Sequence, residues 1–145
     1  MERARLFLGG VLAQAAFGLV AVVVTRAAFR SWPAGAYTWI PALLGAAGLL
    51  VLIGLAHALA VRGLPFVLVV AAWLIGRLAG AVAAAVLPGV GIDPALLATA
   101  SFGLLVLDAG ALRPGAPSLV ALAVQLGALA LAYRAGARAR ARRER

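Results

Sequence analysis

Residues 64–87 read LPFVLVVAAWLIGRLAGAVAAAVL, an apolar run broken by one charge, Arg77, close to its middle. As a helix the stretch is about 36 Å long, more than the ~30 Å hydrocarbon core of a bilayer. A helix satisfies its own backbone hydrogen bonds, which a lone strand in lipid cannot do, so the run reads as a membrane-crossing helix. The arginine then stands where a charge costs at least ~2.5 kcal/mol, unless a partner, water or a bent bilayer meets it. Any partner must come from the few other polar groups set in apolar sequence.

The whole chain has the same character. It has 145 residues, 66% of them hydrophobic and 12% charged, where a soluble domain carries about 45–50% and roughly 25%. There is no cysteine, which excludes disulfides, cysteine-held zinc, iron–sulfur clusters and thiol nucleophiles. The formal net charge is +9, and every basic residue is arginine. Arg134, Arg138, Arg140, Arg142, Arg143 and Arg145 crowd into the last twelve positions. Beside so much lipid-facing surface, the expected partner of this tail is anionic headgroups rather than nucleic acid.

Five apolar segments follow one another: 6–25, 39–61, 64–87, 94–112 and 117–133. None alternates as a barrel strand would. The expectation is an all-α, polytopic integral membrane bundle of five transmembrane helices, residues 1–133, with a basic cytoplasmic tail at 134–145. The alternative is four crossings plus an interfacial helix at 117–133. Arg62-Gly63 and Arg113-Pro114-Gly115-Ala116 are short enough to force hairpins, and Asp93-Pro94 suits a helix start. Arg26, Arg30, Trp32 and Tyr37 form a headgroup-type connection before Trp39. Ala13-Gln14-Ala15 resembles a signal-peptide cleavage site, but the apolar run continues through Val24, and a retained helix is expected.

Arginine placement orients the chain. With five spans, Arg26, Arg30 and the tail face one side, against Arg3, Arg5, Arg62 and Arg113 on the other. That puts the C-terminus in the cytoplasm of a bacterial-type inner membrane. With four spans the imbalance is larger, and both ends lie inside.

Five polar residues fall within apolar segments: Gln14, His57, Arg77, Asp108 and Gln125. In the five-span arrangement, measured from the face with the two short loops, His57 and Asp108 lie ~7 and ~6 Å deep. Gln14 lies ~12 Å deep, Gln125 ~14 Å and Arg77 ~20 Å. His57 and Asp108 can share a proton at matching depth, whereas Asp108 is about 14 Å shallower than Arg77. Trp73, one turn before Arg77, is placed for a cation–π contact. Ala72, Gly76, Gly80 and Ala84 recur every four residues, a ladder without bulk against which another helix can pack. Arg134, Arg138 and Arg142 share one helical face of the tail.

No metal-binding His or Cys pair, phosphate-binding glycine loop, Gly-x-Ser-x-Gly elbow or spaced carboxylate pair occurs. No cofactor or metal is expected. Catalysis by a His57/Asp108 base fits poorest. The expected role is a non-catalytic subunit or assembly partner, docking another membrane protein or itself. The alternative is a small oligomeric transporter or channel with a polar path through His57, Arg77 and Asp108.

Overall fold

The computed structural model describes residues 1–31, 39–87 and 116–145. Within them are four helices: α1 (Glu2–Ser31), α2 (Trp39–Val61), α3 (Phe66–Ala85) and α4 (Ala116–Arg143). Three contain stretches long and apolar enough to cross a membrane, namely Glu2–Val24, Leu43–Val61 and Phe66–Ala85. The all-α, membrane-type bundle is therefore present. The expected span at 94–112, with Asp108, and the loop residues Trp32 and Tyr37 lie outside the described residues.

Helix ends follow backbone chemistry rather than hydropathy. α1 outruns the apolar segment 6–25 at both ends, because nothing between Glu2 and Ser31 breaks a helix and the first proline is Pro33. α4 likewise continues through the basic tail, where Ala and Arg are both strong helix formers. An Arg140–Glu144 pair at 2.7 Å spans one turn at its end.

The α2–α3 hairpin closes as the Arg62-Gly63 pair predicts. Gly63 takes φ +81°, a left-handed conformation open to glycine. The Gly63 N–H donates to Ala60 O and the Leu64 N–H to Leu59 O, capping the last carbonyls of α2. Pro65 precedes the first turn of α3, whose Leu68 and Val69 N–H groups donate to its carbonyl.

Lipid tails give apolar helices little reason to associate, so contact depends on close packing between small residues. The ladder on α3 provides it. A Cβ on Gly76 would fall 2.5 Å from Val11 O and Gln14 Cβ, and one on Gly80 would overlap Ala15 O. α1 answers with its own small positions, since Gly10 meets Ala72 and Gly18 meets the backbone of Arg77 and Gly80. Further along, Ala21 and Val22 pack with Ala84. Numbers rise together along this seam, so α1 and α3 are parallel.

α2 and α4 form the second tight pair. Gly136 lies against His57 O and Ala60 Cβ, and the Arg140 guanidinium reaches Gly63. Leu129 and Ala132 join Leu52, Ala56 and Trp73 in the larger core cluster. Again numbers rise together, and α4 runs in the direction of α2. Gly10 against Leu59 and Gly48 against Phe17 show α2 antiparallel to α1.

This overturns the five-span arrangement, which sends the tail to the face opposite Arg62. Here Arg140 lies on the Arg62-Gly63 turn, and Leu6 and Phe7 of α1 pack on the cluster that contains Leu64. Both termini thus share one end. The four helices alternate in direction, and α4 lies along α2 rather than as a separate interfacial helix.

Gly80→Val is expected to lower the unfolding temperature in detergent sharply, because overpacking a seam costs at least ~1–3 kcal/mol. Gly127→Val should change it little, since a Cβ there meets nothing within 4 Å. Equal effects from the two substitutions would refute the seam.

Candidate functional site

Arg77 projects from α3 into the junction of α1 and α2 and is 3% exposed. Its Nε donates to Gln14 Oε1 at 2.8 Å, and one terminal nitrogen donates to Gly48 O at 3.3 Å. The guanidinium carbon stands 4.2 Å from the centroid of the Phe17 ring. Gln14 is itself 2% exposed. One side chain therefore binds a side-chain amide and a ring on α1 and a backbone carbonyl on α2.

Each partner follows from its place in the chain. Gln14 and Phe17 stand three apart, hence on one face of α1. Gly76 has no side chain, so Gln14 can rest on α3 one residue from Arg77. Gly48 performs the same service on α2: a Cβ there would lie 2.9 Å from the arginine nitrogen and 3.1 Å from the phenylalanine ring. Its missing side chain leaves room for the guanidinium and bares the carbonyl.

The magnitudes are comparable. A mid-membrane arginine costs ~2.5–3.5 kcal/mol on insertion scales. A hydrogen bond to a charged group returns ~1.5–3 kcal/mol, and a desolvated cation–π contact ~2 kcal/mol. The cation is thus accommodated inside the bundle.

The structure unites only part of the expected polar set. Gln14 and Arg77 are joined, although depth counting had separated them by ~8 Å. The discrepancy arises because α1 starts at Glu2 rather than Leu6, and four residues add ~6 Å. Gln125 is also buried, on α4. Because α4 runs opposite to the expected direction, Gln125 lies fifteen residues, or ~22 Å, from Arg140 and close to the level of Arg77. His57 is exposed, on the outward stripe of α2 with Leu50 and Ile53, and does not share the Arg77 site. Its expected partner Asp108 lies outside the described residues.

The ring over the guanidinium is Phe17, in place of the expected Trp73, which occupies the core cluster with Leu52 and Val69. Phe17 and Gly48 were missed from the sequence. A recognisable signal existed, because Gly10, Gln14 and Gly18 recur every four residues on α1 and mirror the ladder on α3.

The cavity beside Gln14, lined by Gly10, Leu55, Leu59 and Trp73, has a volume of about 10 Å³, room for about one water molecule. Ligand pockets usually measure ~300–1,000 Å³. Gln14 is its one polar side chain besides the Trp73 indole. The arrangement can hold helices in register, and it offers no second titratable group beside Arg77 among the described residues that would move a proton. Comparison with protein-family models, with curated proteins and with solved structures finds no match.

Gln14→Leu should destabilise the protein by roughly 1.5–3 kcal/mol, since it removes one acceptor of a charge-assisted hydrogen bond from a buried cation. Combining it with Arg77→Met should recover much of that loss, because replacing both partners by apolar groups is far cheaper than orphaning one. Detergent unfolding of the two single variants and the double provides the check. Strictly additive effects would show that the two residues do not depend on one another.

Proposed function

We propose that this is a small non-catalytic integral membrane protein, acting as a subunit or assembly partner in a bacterial-type inner membrane. Four crossings, with both termini in the cytoplasm, make up its topology. The observation that carries the reading is the engagement of Arg77. Among the described residues its charge meets Gln14, Gly48 and Phe17 on two other helices, contacts suited to holding helices together.

Two further features support it. Broad outer faces remain apolar, including Leu8, Leu12 and Val20 on α1, Leu43 and Leu50 on α2, and Val124 and Leu131 on α4. Such faces suit lipid or a neighbouring membrane protein. The arginines also segregate: Arg3, Arg5, Arg62 and the six of the tail gather at one end, whereas Arg26 and Arg30 fall in the last turns of α1 at the other. Positive residues gather on the cytoplasmic side. Transport through His57, Arg77 and Asp108 is the weaker reading, because His57 stands on the outer face of α2, away from Arg77.

The absence of cysteine makes the topology directly testable. Single cysteines replacing Arg62 and Ala141 should both resist a membrane-impermeant maleimide in intact cells, while one replacing Ser31 should react. Opposite labelling of Arg62→Cys and Ala141→Cys would restore an odd number of spans. Purification in mild detergent at native expression should retain a second protein or a second copy. A clean monomer would sink the subunit role and leave the fold untouched.

A further inference from the structure

We propose that the basic end of the bundle is a composite binding surface for anionic phospholipid headgroups, built from three separated segments. These are the first turns of α1, the α2–α3 turn and the last turns of α4. The surface rests on the reading that this end faces the cytoplasmic leaflet, and it adds to that reading a defined lipid partner and a defined geometry.

Taken alone, the tail is a linear run of arginines, of the kind that any anionic surface attracts loosely. Docking makes it part of something larger. Gly136 is buried against His57 O and Ala60, which seats α4 on the end of α2. Four residues on, the Arg140 guanidinium covers Gly63. Arg62 is exposed beside it. On the other flank, Leu6 and Phe7 pack on the cluster containing Leu64 and Val69, which brings the exposed Arg3 and Arg5 to the same end of the bundle.

Among the described residues, acidic groups offset little of this charge. Arg140 pairs with Glu144, and Glu2 stands in the first turn of α1. Arg3, Arg5, Arg62, Arg138, Arg142 and Arg143 are exposed around that pair.

Depth identifies the occupant. Directly below the arginines the Tyr133 and Phe66 rings meet edge to face at 5.1 Å, and the Tyr133 hydroxyl donates to Leu64 O. Amphipathic aromatics of this kind mark the membrane–water boundary. Guanidiniums just outside that level meet lipid phosphates, whose oxygens match their paired N–H groups. Because α4 is docked and helical, the tail's cations are held relative to Arg62, Arg3 and Arg5 before a lipid arrives, which lowers the ordering cost of binding.

The full chain in a non-ionic detergent, supplied with phosphatidylglycerol or phosphatidylcholine, tests the surface by native mass spectrometry. Retention of phosphatidylglycerol but not phosphatidylcholine is expected. Replacing Arg3, Arg5 and Arg62 together by Gln should weaken retention, by about fivefold for each arginine removed. The pair Arg26→Gln/Arg30→Gln, at the far end, should leave it unchanged. Gly136→Leu keeps every arginine but unseats α4, and should also weaken binding.

Equal retention of both lipids would overturn the proposal. So would wild-type binding by the triple arginine variant, which would mean that the tail acts alone. Displacement of the lipid by millimolar inorganic phosphate would show a site for a free anion instead. Cysteine labelling separates the two claims: protected Arg62→Cys without lipid preference refutes the surface alone, whereas reactive Arg62→Cys refutes the orientation as well.

Discussion

The guanidinium of Arg77 links two helix pairs that also share the apolar cluster around Trp73. α1 and α3 form one extensive interface and α2 and α4 the other. Arg77 leaves the first pair and donates across to Gly48 O on α2, while Gln14 and Phe17 hold its near side. In a bilayer a bond of this kind carries unusual weight, because no water competes for the donors and a displaced cation finds only lipid. Sliding one pair past the other would break several contacts together. The cost of burying the charge thus becomes a penalty against alternative registers, the sense in which a buried polar group specifies structure.

That geometry depends on what is missing as much as on what is present. Gly76 lets Gln14 reach the level of Arg77, Gly48 bares a carbonyl, and Gly18 brings the α1 backbone onto that of Arg77 and Gly80. A methyl group at Gly76 would fall 2.5 Å from Val11 O and push the helices apart, one at Gly48 would displace the guanidinium and the Phe17 ring, and one at Gly18 would sit 3.2 Å from Arg77 O and require a smaller shift. The small residues and the arginine are therefore one device. The ladder sets the separation, and the arginine sets the register along it.

Much of this was legible in the sequence, and the failures have physical causes. Hydropathy located the apolar helices, and the bounds of α2 were read as observed because a turn and a glycine stop it. The ladder on α3 was visible as spacing. Helix ends were misjudged at α1 and α4 because apolarity reports where lipid is, whereas helix continuation depends on propensity and breakers. That error moved Gln14 by about one turn and hid its pairing with Arg77. Choosing Trp73 over Phe17 reflects a bias toward sequence neighbours, since a one-turn spacing is countable and a contact between helices is not. The direction of α4 could not be had from apolar segments alone, because counting them assumes that each one crosses.

The reversal of α4 changes what the tail is. Pointing away from Arg62, its arginines would be a separate anchor at the far membrane face. Pointing toward it, they extend a collar that already contains Arg3, Arg5 and Arg62, while among the described residues Arg26 and Arg30 stand at the other end. Headgroup attraction acts within about a Debye length of the surface, ~10 Å at 0.1 M salt. Charges collected at one level therefore act on the same leaflet together. The same feature constrains folding in the membrane. On the proposed orientation, an end carrying this much arginine resists translocation, which would keep the first turns of α1, the α2–α3 turn and the last turns of α4 on one side. Arg77, buried within this packing, would then select the register, with the arginines at the helix ends setting which way up the helices stand.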